Sequence, residues 1–88
     1  YYTFRTDALL ESHYEKHGIE MGFDSAAAYE AAANAVIANP EVLHKYESED
    51  GGDVYYLGDT NEFVVVSVDG YLRTYFEPSA GMAYYERQ

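Results

Sequence analysis

His13 and His17 stand four residues apart with Tyr14-Glu15-Lys16 between them, a spacing that puts both imidazoles on one face of a helix. An unperturbed imidazole titrates at about 6.5, so either ring can take or give a proton near neutral pH. The same spacing serves paired metal ligands, but a zinc site wants a third ligand and the HExxH pattern is absent. Lys16 beside the pair also works against a bound cation. A packed or capping histidine near a helix C-terminus is the remaining reading of each ring. Arg73 is the other group suited to an anion, flanked at alternate positions by Tyr71 and Tyr75. Its planar fork fits a phosphate and tyrosine rings offer stacking surfaces. The alternative is a solvated sheet face on which Arg73 pairs with a nearby carboxylate. His44, alternating on a strand, reads as surface or packing. Without cysteine there is neither thiolate chemistry nor a disulfide, and no GxSxG, phosphate loop or CxxC occurs. The carboxylates from Glu47 to Asp53 lack the alternating spacing of a calcium loop and read as a solvated turn.

Two helices precede the strands, and the first must carry both His13 and His17. Thr6-Asp7 precedes an amphipathic run from Ala8 to His17 that Gly18 closes. Ser25 caps a second, alanine-rich helix that runs to about Ala38 and stops at Asn39-Pro40. Its buried stripe is Tyr29, Ala33, Val36 and Ile37. From Glu41 the hydrophobic period becomes two, predicting strands over Val42 to Tyr46, Val54 to Leu57, Phe63 to Val68 and Tyr71 to Phe76. Met82 to Arg87 closes the chain as a short helix or an edge strand. The fold class is α+β, with two N-terminal helices on one face of a four-stranded antiparallel sheet.

Asp69-Gly70 predicts a two-residue hairpin turn. That register pairs Val68 with Tyr71, Val66 with Arg73 and Val64 with Tyr75. The opposite face, which pairs Ser67 with Leu72, Val65 with Thr74 and Phe63 with Phe76, is the more compact and is assigned to the helices. Tyr71, Arg73 and Tyr75 then form an open row. Arg73 and Thr74 can meet at one site only if a bulge or a strand end re-aims one of them.

Eighty-eight residues, 48% hydrophobic and including eleven Tyr, suffice for one modest core. Five basic against sixteen acidic residues give a net charge of −11, which repels polyanions over most of the surface. Any nucleic-acid chemistry must therefore rest on local residues. No stretch approaches the ~20 apolar residues of a membrane helix. A start at Tyr1-Tyr2 reads as a fragment or a processed product.

Five segments together resemble a known group: His13 to Gly18, the helix from Ser25, Thr60 to Ser67, Asp69 to Phe76, and Tyr84 to Gln88. They are similar to a domain found behind phage head-morphogenesis and minor capsid proteins and in polymorphic and contact-dependent growth-inhibition toxins. That domain belongs to the broad group of barnase, EndoU, colicin ribonucleases and RelE. The resemblance implies that residues 1–88 form a single domain, the C-terminal piece of a larger bacterial or phage protein that acts in the cytoplasm if it is a toxin. It implies RNA cleavage without metal or cofactor, by attack of a 2′-hydroxyl that leaves a cyclic phosphate, on tRNA or another structured RNA. In those terms His17 is the acid or base, Arg73 the phosphate anchor and Thr74 a hydroxyl donor. His13 is a second proton-transfer group, Lys16 a cation, and Tyr71 and Tyr75 hold substrate. A cognate immunity protein is the implied partner. The alternative is a non-catalytic protein-binding or packaging module that keeps only the fold.

Overall fold

The computed structural model describes residues 1–47 and 49–88, so Ser48 of the acidic turn lies outside the described residues. Helix α1 spans Asp7–His13 and opens at Thr6, whose extended backbone lets its hydroxyl accept the Leu9 N–H at 3.1 Å. The expected run to His17 is not one α-helix. Residues Tyr14–Gly18 form a π-turn, in which the Ile19 N–H reaches back to the Tyr14 carbonyl at 3.0 Å. Gly18 is required there: a Cβ would lie 2.4 Å from the Tyr14 ring and 2.9 Å from Tyr29. Helix α2 spans Ala26–Ala38, and Ser25 caps it by accepting the Ala28 N–H at 3.1 Å.

Strands β1 (Leu43–Tyr46), β2 (Asp53–Leu57), β3 (Glu62–Val66) and β4 (Leu72–Phe76) form an antiparallel meander in the order β1-β2-β3-β4. A short helix α3 follows at Met82–Glu86. The N-terminal segment runs along the outer edge of β4, where Phe4 bridges Leu72 in parallel and the Leu72 N–H donates to the Thr3 carbonyl at 2.8 Å.

The α2 stripe of Tyr29, Ala33 and Val36 is buried against Val64, Val66, Leu72 and Tyr75. Ile37 is half-buried at its margin. Tyr29 and Tyr75 are both fully buried, their ring centroids are 5.0 Å apart, and the Tyr29 hydroxyl donates to the Tyr75 backbone carbonyl. The Tyr75 hydroxyl donates to the Glu62 carboxylate. Burial raises the pKa of both phenols, so both stay protonated donors. On the other face, Val54, Tyr56, Phe63 and Val65 pack under Tyr85 of α3.

This reverses the face assignment drawn from the hairpin. The loop has three residues, Val68-Asp69-Gly70, with Gly70 at φ +90° and Ser67 closing on Tyr71 through a 2.7 Å hydrogen bond. Ser67 favours this loop by two further bonds: its hydroxyl donates to the Asp69 carboxylate and accepts the Tyr71 N–H at 3.1 Å. The predicted pairs Phe63 with Phe76, Val64 with Tyr75 and Val65 with Thr74 form, but Val66 pairs with Leu72 rather than Arg73. The register break leaves Arg73 as a bulge. Leu72 therefore joins Tyr75 on the helix face, and the open row of Tyr71, Arg73 and Tyr75 does not exist.

Removing the Tyr29 hydroxyl tests the bond that joins α2 to β4. Tyr29→Phe is expected to cost about 1 kcal/mol, and Tyr29→Ala about 3–5 kcal/mol through the added cavity. Urea unfolding midpoints measure both; an unchanged midpoint for Tyr29→Phe would show that the bond adds no net stability.

Candidate functional site

A cleft of about 500 Å³ opens between the N-terminal half of the molecule and the β3–β4 hairpin. Phe4, Arg5, Leu9 and His13 form one wall. The hairpin residues Asp69 and Tyr71, the bulged Arg73 and, from the β1–β2 loop, Asp50 form the other. The parallel bridge at Phe4 sets the gap between the walls, because it fixes Arg5 opposite the loop that carries Asp69.

His13 sits in a run of four rings. It stacks on Phe4 at 5.0 Å and lies 6.2 Å from His17, which stacks on Phe76 at 5.1 Å. The π-turn begins directly after His13 and carries His17, whose ring it sets against Phe76 of β4. Nδ1 of His13 is enclosed and has no hydrogen-bond partner among the described residues. An enclosed nitrogen without a partner is unsatisfied whether it carries the proton or the lone pair, so Nδ1 does not by itself fix the tautomer of the neutral ring. Burial lowers the His13 pKa, helped by the charges of His17 and Lys16. Burial and then Lys16 also lower that of His17, with Glu20 acting in opposition. At neutral pH His13 is therefore a neutral base whose Nε2 is the nitrogen left for a ligand.

Two guanidinium groups face this base. Arg5 lies 4.4 Å over the Tyr71 ring and pairs with Asp69. The pairing raises the Arg5 pKa, while the hydrogen bonds from Ser67 and Arg5 lower that of Asp69. Arg73 reaches Asp50 at 2.9 Å and Glu47 at 3.5 Å. Carboxylates thus occupy the positions where an anionic ligand would meet each fork. The pairs are exposed, and exposed pairs contribute little to stability, so a polyanion can exchange for them.

The sequence-derived candidates divide among several places. His13, Tyr71 and Arg73 share the cleft. His17 lines a smaller neighbouring hollow with Glu20, Met21, Phe76 and Glu77. Arg73 also lines a groove on the opposite face together with Thr74, because the bulge turns both toward it. Lys16 is exposed beside the two imidazoles. Tyr75 is wholly inside the core and offers no surface for substrate. His44 pairs with Asp53 at 2.6 Å and stacks on Tyr55 at 4.6 Å, away from the cleft. Sequence reasoning missed Arg5, whose place depends on a contact between Phe4 and Leu72 that no local pattern announces. Among the described residues, no group of three or more His, Cys, Asp or Glu is placed to hold a metal ion.

No protein-family model matches the chain, and no curated protein matches it. The fold is similar to a solved structure described as a ribonuclease from Escherichia coli complexed with its inhibitor protein. The TM-score is 0.68 at 20% identity, over 88% of this chain and 95% of that one. At this identity the likeness is one of fold.

The lowered histidine pKa values give a pH dependence with a defined sign. Below about pH 6.5 the unfolded chain takes up protons that folded His13 and His17 resist. Their contribution is intact above that pH, is lost progressively as the pH falls below it, and levels off below the folded values. Unfolding free energies measured from pH 8 to 5 should show this decline, and His13→Gln should flatten part of it. An identical slope in the variant would count against a depressed His13.

Proposed function

We propose that this chain is a metal-independent endoribonuclease of the toxin type, with the cleft between α1 and the β3–β4 hairpin as its catalytic site. The observation that carries the reading is the convergence, in that cleft, of a neutral histidine with two arginine forks. The likeness of fold to a ribonuclease supports it. In this reading RNA displaces Asp50 and Asp69, and Arg73 and Arg5 take up the phosphate. In the tautomer that carries its proton on Nδ1, His13 Nε2 accepts the proton of the 2′-hydroxyl as its oxygen bonds to phosphorus. The bond from phosphorus to the 5′-oxygen breaks, and that oxygen takes a proton from the protonated fraction of His17, which grows toward acid pH because its pKa is lowered. The products are a 2′,3′-cyclic phosphate and a free 5′-hydroxyl. The two imidazoles are 6.2 Å apart, and His17 must turn from its own hollow toward the cleft to reach the leaving oxygen. The arginines meet the charge that grows on the phosphorane, where electrostatic stabilisation acts most.

Structured RNA such as tRNA is the substrate class that the resemblance suggests, and an immunity protein covering the cleft is the matching partner. A second reading, a non-catalytic module that binds a protein through this cleft, draws on the carboxylates at both arginines. A partner could replace them with its own acidic side chains.

Incubating the purified chain with total RNA, with and without EDTA, separates the two readings. Cleavage that survives EDTA and leaves cyclic-phosphate ends is expected. His13→Ala should slow it about 10²- to 10⁴-fold, the usual range for losing a general base, and Arg73→Ala should also be severely impaired. Intact RNA from folded wild type would sink the catalytic reading and leave the partner-binding one.

A further inference from the structure

On the face opposite the helices, a groove of about 180 Å³ lies between β4 and α3. Small-molecule pockets usually run from about 300 to 1,000 Å³, so this one fits a single planar ring system. Its floor follows from the register: Lys45, Val54, Val65 and Thr74 are successive cross-strand neighbours and form one row across the sheet. Tyr84 stands at its side, held edge-on to Phe63 and Phe76 at 5.0 and 5.5 Å. The bulged Arg73 lines both this groove and the histidine cleft.

The chain has five Lys and Arg in all, and three of those five gather on this face, where Glu47 and Asp50 pair with Arg73. Arg73 lines the groove, the Lys45 ammonium lies 4.4 Å over Tyr85, and the Arg87 guanidinium lies 5.6 Å from the Tyr84 ring centre. Cations interleaved with tyrosine rings suit a phosphate-linked base, which needs a stacking face and neutralisation of its backbone. The polar groups of the lining act on an edge. Gln88 donates one of its two amide N–H groups to the Tyr84 carbonyl at 2.9 Å and keeps the other, together with its carbonyl oxygen as an acceptor. Glu47 offers carboxylate oxygens at 3.5 Å from Arg73, and the Thr74 hydroxyl can donate or accept.

We propose that this groove is a second subsite that binds a nucleobase of single-stranded RNA next to the phosphate held at Arg73. The base stacks beside Tyr84 and turns its Watson–Crick edge toward Glu47, Thr74 and Gln88. The proposal deepens the ribonuclease reading and rests on it, since the two hollows share Arg73 and would grip consecutive parts of one strand. An acceptor-rich wall favours a base with adjacent donors, and guanine offers N1–H beside its 2-amino group.

Titrating the protein with each of the four ribonucleoside 5′-monophosphates, followed by amide NMR shifts, tests this directly. Guanosine monophosphate should shift the amides of Glu47, Thr74, Tyr84 and Gln88 in a saturable way. It should bind about fivefold or more tighter than the other three, the equivalent of one net hydrogen bond. Thr74→Val and Gln88→Ala should each weaken it severalfold, with unchanged circular dichroism and melting showing that both variants fold. Undisturbed groove amides, equal binding of all four nucleotides, or variants that bind as wild type would overturn the subsite. Shifts confined to His13 and Tyr71 would overturn it while leaving the ribonuclease reading in place. Groove binding by a protein that leaves RNA intact would support the subsite and remove the catalytic reading instead.

Discussion

The contact between Tyr29 and Tyr75 holds the two layers of this molecule in register. A tyrosine inside a core gains the burial of a large ring but must satisfy its hydroxyl. Tyr29 does so on the backbone of β4 and Tyr75 on Glu62, so each ring is fixed in orientation as well as buried. Around that pair, Tyr14 and Phe23 meet Tyr29 edge-on, and the Tyr14 hydroxyl closes on the Phe23 carbonyl at 2.7 Å. Gly18 passes between Tyr14 and Tyr29 because no side chain fits. The π-turn, and with it the placing of His17 against Phe76 of β4, is thus a consequence of packing tyrosines closely beneath it.

Much of the architecture was legible because its signals are local. Thr6 and Ser25 mark their helices by hydrogen bonds three residues long, and Asn39-Pro40 ends α2. The alternation of β2 and β3 likewise survives in the observed sheet. The hairpin misled because Asp69-Gly70 fits a two-residue turn and a three-residue loop equally well on backbone propensity. The difference lies in the Ser67 side chain, which ties the longer loop. One extra loop residue and one bulge then change which face Leu72 occupies and place Arg73 at a rim.

The cleft was only half legible for a related reason. Histidines four apart on a helix and an arginine beside tyrosines are visible as types, whereas their meeting depends on long-range contacts. His13 enters the cleft while His17 turns into the next hollow, though both belong to the same helical face. Arg5 joins through a strand-like bridge from the N-terminal segment. The net charge of −11 reads differently once the pairs are placed. Part of that acidity sits on Asp50, Asp69 and Glu47, which hold the arginine forks extended toward the cleft. Such pairing holds two long cationic side chains in defined positions at the rim of the cleft.

The bulge in β4 has a consequence for how this surface can change over generations. A regular strand would give each hollow its own residues, and drift on one face would be invisible to the other. Because Arg73 borders both, a replacement there is a single event with two effects, and neither hollow can be retuned through that position alone. Variation that alters one face separately must fall on residues private to it, such as Leu9 or Val68 for the cleft and Gln88 for the groove. The fold therefore divides its surface into positions free to diversify and one pivot that is not.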